Sequence, residues 1–196
     1  MNIEKKQLLR SVLKESLKKQ PMKDISRLIC DSMLNSKIWQ SSQNILFYWP
    51  LKYEINLKNL IKSAFDQSKK CYLPKAYSKG NKLICTHSEL RSLEQELFRG
   101  QFGNMECAGL GLESSSPTSS IIDLVFVPAL MFDRKGYRLG RGLGFYDRLI
   151  AQLPSKVITI GVIPESLFVE KLDFIDEWDK PVHNIITEKK LTKIIN

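Results

Sequence analysis

The 196 residues suit one domain with a sizeable core, and 43% apolar with 26% charged residues is an ordinary soluble composition. No apolar run approaches the roughly 18 residues of a membrane span, and the charged opening MNIEKKQLLRSVLKESLKKQ lacks the apolar stretch of a signal peptide, so no membrane partner is expected. The net charge is +9, with 14 basic against 6 acidic residues in the first 70, which suits an anionic partner, either nucleic acid or a nucleotide.

Residues 3–19 read as an amphipathic helix with Leu8, Leu9, Val12, Leu13 and Leu17 as its apolar stripe and Pro21 marking its end. Lys6, Arg10, Lys14 and Lys18 fall four apart on another face, as a solvated surface or an anion site. A second helix runs from about Asp24 to Ile38, with Ile25, Leu28, Ile29, Met33 and Leu34 inward. NILFYWP (44–50) is a strand, INLKNLIKSAFDQS a helix on Leu57, Leu60, Ile61, Ala64 and Phe65, and KCYLP and KLICT are short strands. A helix is expected over 89–98 and a Gly- and Ser-rich loop over 99–120. IIDLVFVPAL (121–130) is the clearest buried strand; then come a Gly-Arg segment, a helix from Phe145 to Leu153, the strand KVITIGV, an acidic segment, and a last short strand and helix. This alternation predicts an α/β fold with a mostly parallel sheet. Cys30, Cys71, Cys85 and Cys107 form no CxxC pair and there are two histidines, which argues against a zinc site or disulfide framework and fits reduced thiols in a cytoplasmic protein.

RLGRGLGFYDR (138–148) carries the chemistry. Gly140, Gly142 and Gly144 let backbone N–H groups approach one centre, and the following helix offers its positive end to an anion. Arg138 and Arg141 can hold phosphate oxygens bidentately, and Asp147 is placed to hold Mg²⁺ beside them. The spacing is neither that of the P-loop nor GxGxxG, and a plain Gly-rich turn is the competing reading.

The longer stretch VPALMFDRKGYRLGRGLGFYDR (127–148) closely resembles the signature of the 5-formyltetrahydrofolate cyclo-ligase, or methenyltetrahydrofolate synthetase, family. Lys6 and Arg10 match its basic pair on the first helix, Glu54 its glutamate after the first strand, GNMEC (103–107) its Gly-x-x-Glu-Pro loop, and Asp179 its aspartate before the last strand. The resemblance implies one domain over 1–196, a three-layer α/β/α Rossmann-like fold with an N-terminal helical segment. It also implies ATP-dependent closure of 5-formyltetrahydrofolate to 5,10-methenyltetrahydrofolate with release of ADP and phosphate. The expected form is a monomer acting on ATP and 5-formyltetrahydrofolate with Mg²⁺. Lys6, Arg10 and the run Arg138, Leu139, Gly140, Arg141, Gly142, Leu143, Gly144, Phe145 and Tyr146 would bind ATP. Arg10, Trp49, Glu54, Arg141 and Phe145 would contact the folate, Arg141 and Tyr146 would act catalytically, and Asp147 and Asp179 would bind Mg²⁺. A carboxylate such as Glu54 can accept two hydrogen bonds from the pterin edge, or it can simply complement a helix N-terminus.

Phe145, Leu143, Trp178, His183 and Cys107 depart from the family pattern, though none removes a charge the chemistry needs. A lone histidine such as His183 is expected to be structural. The competing reading is a nucleic-acid-binding or other nucleotide-binding protein on the same fold without this activity. Against nucleic acid, the aromatics are not interleaved with the basic residues, and Asp147 and Asp179 would repel a phosphate backbone.

Overall fold

LVFVP, the middle of the strongest strand, is buried on both sides, which is what a parallel strand covered on two faces requires. In a computed structural model, which describes residues 2–80, 82–95, 97–107 and 121–194, this strand is β6 (Leu124–Pro128). It lies in the middle of a seven-stranded sheet. Its neighbours are β1 (Asn44–Leu46) on one side and β9 (Ile158–Val162) on the other, both parallel to it. Beyond β1 comes β2 (Lys70–Lys79), parallel, and then β3 (Lys82–Leu90), antiparallel. Beyond β9 comes β11 (Asn184–Ile186), parallel, and then β12 (Leu191–Lys193), antiparallel. The mostly parallel sheet is therefore as expected, with an antiparallel strand at each edge.

Successive side chains of β6 serve opposite faces. Leu124 and Phe126 pack with α2 (Met22–Leu34), α3 (Lys37–Ser41) and α4 (Lys58–Asp66) through Ile29, Met33, Trp39, Leu60 and Ile61. Val125 and Val127 pack with α1 (Asn2–Lys18) and α5 (Phe145–Gln152) through Leu13, Leu17 and Leu149. Helices on both faces make the three-layer α/β/α arrangement. Asp123 ties the strand ends together, its carboxylate accepting the Gln43 and Asn44 backbone N–H groups, each at 2.9 Å. All four cysteines are free and buried, and burial pushes the Cys30 thiol up to about 11 and Cys71 to about 12.

Four expectations need correction. The segment 89–98 is not helical: β3 continues to Leu90, and Leu97–Arg99 is a strand, β4, paired with β5 (Met105–Cys107) inside what reads as loop. The remainder of that loop, 108–120, lies outside the described residues. The last element is the strand β12, because LTK completes a hairpin with β11. Two short strands, β7 (Met131–Asp133) and β8 (Arg138–Leu139), lie between β6 and the glycines and form a small sheet with β10 (Phe168–Val169). Finally, α1 buries a different stripe from the expected one. Leu13 and Leu17 are inside, but Leu8 is 69% and Val12 57% exposed. At about 100° per residue, Lys6, Leu13 and Leu17 lie within about 40° of one another. The inward face of α1 thus carries Lys6 together with its core leucines.

From β1 the chain crosses through α4 to β2 on one side; from β6 it crosses through α5 to β9 on the other. The strand order reverses between β1 and β6, and loops leaving the carboxyl ends of two such strands diverge to leave a crevice.

Candidate active site

The segment after β8 is held open by backbone conformation. Gly142 has φ +106° and Gly144 φ +60°, both in the left-handed region that disfavours side chains. A Cβ on Gly142 would also come within 3.3 Å of the Arg10 guanidinium. Gly140 has neither feature; its carbonyl accepts Arg10 Nε at 2.9 Å and so ties the loop to α1. Gly144 is the residue before α5, and Arg148 reaches back to donate to the Leu143 carbonyl.

The loop forms one wall of a cavity of about 660 Å³. Every residue predicted for the site lines it: Lys6 and Arg10 from α1, Trp49 and Glu54 from the loop after β1, Arg138, Leu139, Gly140, Arg141, Gly142, Leu143, Gly144, Phe145, Tyr146 and Asp147, and Asp179. The hairpin β2–β3 and the β4–β5 turn add Pro74, Ala76, Leu83, Phe102, Asn104 and Met105, which sequence reading did not assign. Asp176 was also missed, although it stands in the acidic segment three residues before Asp179. The exposed Trp178 completes this rim.

The charges are paired across elements. Arg141 donates to Glu54 Oε1 from Nε at 3.1 Å and from a terminal nitrogen at 2.8 Å, while Glu54 Oε2 accepts the Leu51 N–H at 3.0 Å. Arg138, its side chain only 4% exposed, donates to Asp147 at 2.6 Å and to the Lys180 carbonyl at 2.7 Å. Burial lowers the Arg138 pKa below its ordinary value and Asp147 opposes this, so the guanidinium acts largely as an internal brace. Lys6 donates to Asp176 Oδ2 at 2.6 Å and lies 3.7 Å from Asp179 Oδ2. Tyr48 anchors the loop bearing Trp49 and Glu54 by donating to the Ile55 carbonyl at 2.8 Å. Burial, reinforced by the Glu54 charge, pushes the Tyr146 hydroxyl well up, so it is a hydrogen-bond donor at neutral pH and not a base.

Carboxylate oxygens are available beside these cations. Asp147 Oδ1 takes Arg138 and the Lys180 N–H, and Asp179 Oδ2 takes the Asp176 N–H, so among the described residues each keeps its second oxygen for an external ligand. No cluster of three or more His, Cys, Asp or Glu occurs among the described residues, so a cation here would rely on a ligand's oxygens as well. The basic row on α1 divides: Lys6 and Arg10 enter the cavity, Lys14 is exposed, and Lys18 pairs with Glu15 at 2.5 Å. Four-residue steps drift by about 40° each, so Lys18 has turned about 120° from Lys6.

Three of the departures have local structural contexts. Cys107, in the place of a proline, is buried with its sulfur against the carbonyls of Ser88 and Glu89 at 3.6 and 3.4 Å. Phe145 packs edge-on to Tyr146 at 5.1 Å on the cavity wall. His183 Nδ1 accepts the Thr159 N–H at 3.1 Å, away from the cavity, a structural role.

The chain is similar to known proteins over nearly its whole length. A model of the 5-formyltetrahydrofolate cyclo-ligase family matches residues 2–188. A 5-formyltetrahydrofolate cyclo-ligase of Haemophilus influenzae is 30% identical over 95% of this chain and 99% of its own length. One from Mus musculus is 27% identical over 96% and 92%. Among solved structures, Aquifex aeolicus 5,10-methenyltetrahydrofolate synthetase superposes with a TM-score of 0.77 at 28% identity, covering 97% of this chain and 93% of that one. A 5,10-methenyltetrahydrofolate synthetase from Mycoplasma pneumoniae shares the fold, with a TM-score of 0.65 at 22% identity and coverage of 93% and 98%.

Proposed function

Because the chain belongs to the 5-formyltetrahydrofolate cyclo-ligase family, we infer that it closes 5-formyltetrahydrofolate to 5,10-methenyltetrahydrofolate at the expense of ATP. The observation that carries this reading is convergence: cations from α1 and the glycine loop, Glu54, and two carboxylates from distant segments line one cavity. Its volume of about 660 Å³ falls in the range usual for small-molecule sites.

The chemistry is a replacement of leaving groups. The formyl oxygen attacks the γ-phosphorus and the bond to ADP breaks. The phosphorylated formyl group is then attacked at carbon by N10, which loses its proton as phosphate departs and the ring closes. Little of this needs a protein nucleophile, so the residues position reactants and stabilise phosphoryl charge. Lys6, Arg10 and the backbone from Arg138 to Tyr146 hold the ATP phosphates and nucleotide. Arg141 leaves Glu54 to meet the transferring phosphoryl group, while Glu54 accepts hydrogen bonds from the pterin. Trp49 and Phe145 supply flat apolar surface to the folate, and Arg10 and Arg141 bridge the two substrates. Tyr146 remains protonated and donates a hydrogen bond.

Asp147 and Asp179 are hard oxygen donors suited to Mg²⁺, which typically takes one or two carboxylates together with substrate phosphates. When bound, the ion would neutralise charge on the phosphates. Four buried thiols support a reducing, cytoplasmic setting.

Methenyl absorbance tests the reading. Folded protein with Mg·ATP and 5-formyltetrahydrofolate is expected to generate the band only when ATP is present, with one ADP per product. No signal above a boiled control would overturn it.

A further inference from the structure

We propose that Asp176 is a positioning residue for Lys6: it holds the ammonium at the phosphate side of the cavity and keeps it from closing onto Asp179. The proposal rests on the reading of Lys6 as a phosphate ligand and of Asp179 as a Mg²⁺ ligand. It adds a residue to which neither the family signature nor the sequence reading gives a role.

The geometry is specific. Lys6, on α1, and Asp176 are 170 positions apart in sequence, and Lys6 Nζ donates to Asp176 Oδ2 at 2.6 Å. The next carboxylate, Asp179 Oδ2, is 3.7 Å away, beyond hydrogen-bond reach. Both aspartates belong to one turn. The Asp179 N–H donates to the Asp176 carbonyl at 3.0 Å, and the Asp176 N–H donates to Asp179 Oδ2 at 2.9 Å. A single turn thus presents two carboxylates, one engaged by Lys6 and the other fixed from behind by a backbone N–H. The side chains of Lys6 and Asp179 are 13% and 16% exposed, and the Lys6 ammonium also lies 5.7 Å from the centre of the Phe174 ring. The ammonium has three protons and, among the described residues, one hydrogen bond, so it can meet a phosphate without leaving Asp176.

Without the Asp176 carboxylate, the nearest anion to Lys6 among the described residues is Asp179, at 3.7 Å. Coulomb attraction would draw the ammonium onto the oxygens that a divalent cation needs, since attraction rises as separation falls. The site would then have its cation in the wrong place and a metal carboxylate neutralised by the protein. Asp176 separates the two functions by giving Lys6 a nearer partner.

A double-mutant cycle read by ATP titration calorimetry, in Mg²⁺ and without it, tests this. The proteins are wild type, Lys6→Ala, Asp176→Asn and the double variant, with Asp176→Glu added because its longer side chain keeps the charge but moves the oxygen. Asp176→Asn is expected to weaken Mg·ATP binding about tenfold. In the Lys6→Ala background it should change affinity by less than about twofold, since coupled residues are non-additive. Asp176→Glu should fall between wild type and Asp176→Asn. In wild-type background only, Asp176→Asn should also raise the Mg²⁺ concentration needed for half-maximal ATP binding. Additive losses, or an Asp176→Asn affinity equal to wild type, would overturn the proposal. If Asp176→Asn does not fold, the Asp176→Glu cycle decides it by the same additivity criterion. Unchanged ATP affinity in Lys6→Ala would instead overturn the underlying reading of Lys6.

Discussion

Arg141 and Glu54 are 87 positions apart in sequence and 2.8 Å apart in space. Arg141 is nearly half exposed, and ion pairs of that kind contribute only about 0–1 kcal/mol to stability. A charge-assisted contact to a transferring phosphoryl group in a partly dehydrated cavity is worth more, on the order of 3 kcal/mol. Arg141→Ala is therefore expected to lower kcat about a hundredfold while leaving the thermal midpoint nearly unchanged. Stopped assays and a melting curve check this; near-normal turnover would mean that the loop is only a turn. At this scale the sequence was highly legible, because a long motif of unusual residues fixes local chemistry. Every predicted site residue lines the cavity. What it could not reveal is pairing. Nothing in RLGRGLGFYDR says that Arg138 is braced by Asp147 and the Lys180 carbonyl while Arg141 faces Glu54. Asp176 escaped notice because its importance comes from a lysine on another element.

Elements were legible where local pattern and tertiary packing agree. RSLEQELF offers leucines at near-helical spacing and good helix formers, yet β3 already occupies Leu90, and Leu97 pairs with Cys107 across the β4–β5 ladder. Sheet pairing overrode propensity there, as it did in LTK at the end of the chain. The hairpin β2–β3 also contains a pH-sensitive element. His87 on β3 is buried, its ring edge-on to Tyr72 at 4.9 Å and its Nε2 without a hydrogen-bond partner among the described residues. Burial lowers its pKa from 6.5 to about 4. The unfolded chain therefore binds the proton first as pH falls, so the stability that neutral His87 permits is fully present above about pH 6.5 and is lost on descent toward pH 4. Between pH 7 and pH 5 the loss should be roughly 2 kcal/mol. Urea unfolding of wild type and His87→Phe at the two pH values measures it. The variant should lose distinctly less, and equal losses would show that His87 does not carry the effect.

At the scale of the whole molecule, the site follows from topology. Crossovers leave β1 and β6 in opposite directions, and the loops beyond their carboxyl ends carry Trp49 and Glu54 on one side and the glycine segment on the other. Sequence periodicity could place strands but not order them, since alternation of apolar residues says which face is buried and not which strand lies alongside. The excess of positive charge likewise has no address in composition; in the fold, Lys6, Arg10 and Arg141 converge on the cavity with carboxylates among them. That mixture suits a metal-bearing nucleotide and opposes a bare phosphate backbone. In the proposed reaction the formyl oxygen is phosphorylated by ATP before the ring closes. Complete turnover of substrate labelled with oxygen-18 in the formyl group, followed by mass analysis of the released phosphate, tests it most directly. One labelled oxygen per phosphate is the predicted result; unlabelled phosphate alongside methenyl product would contradict it.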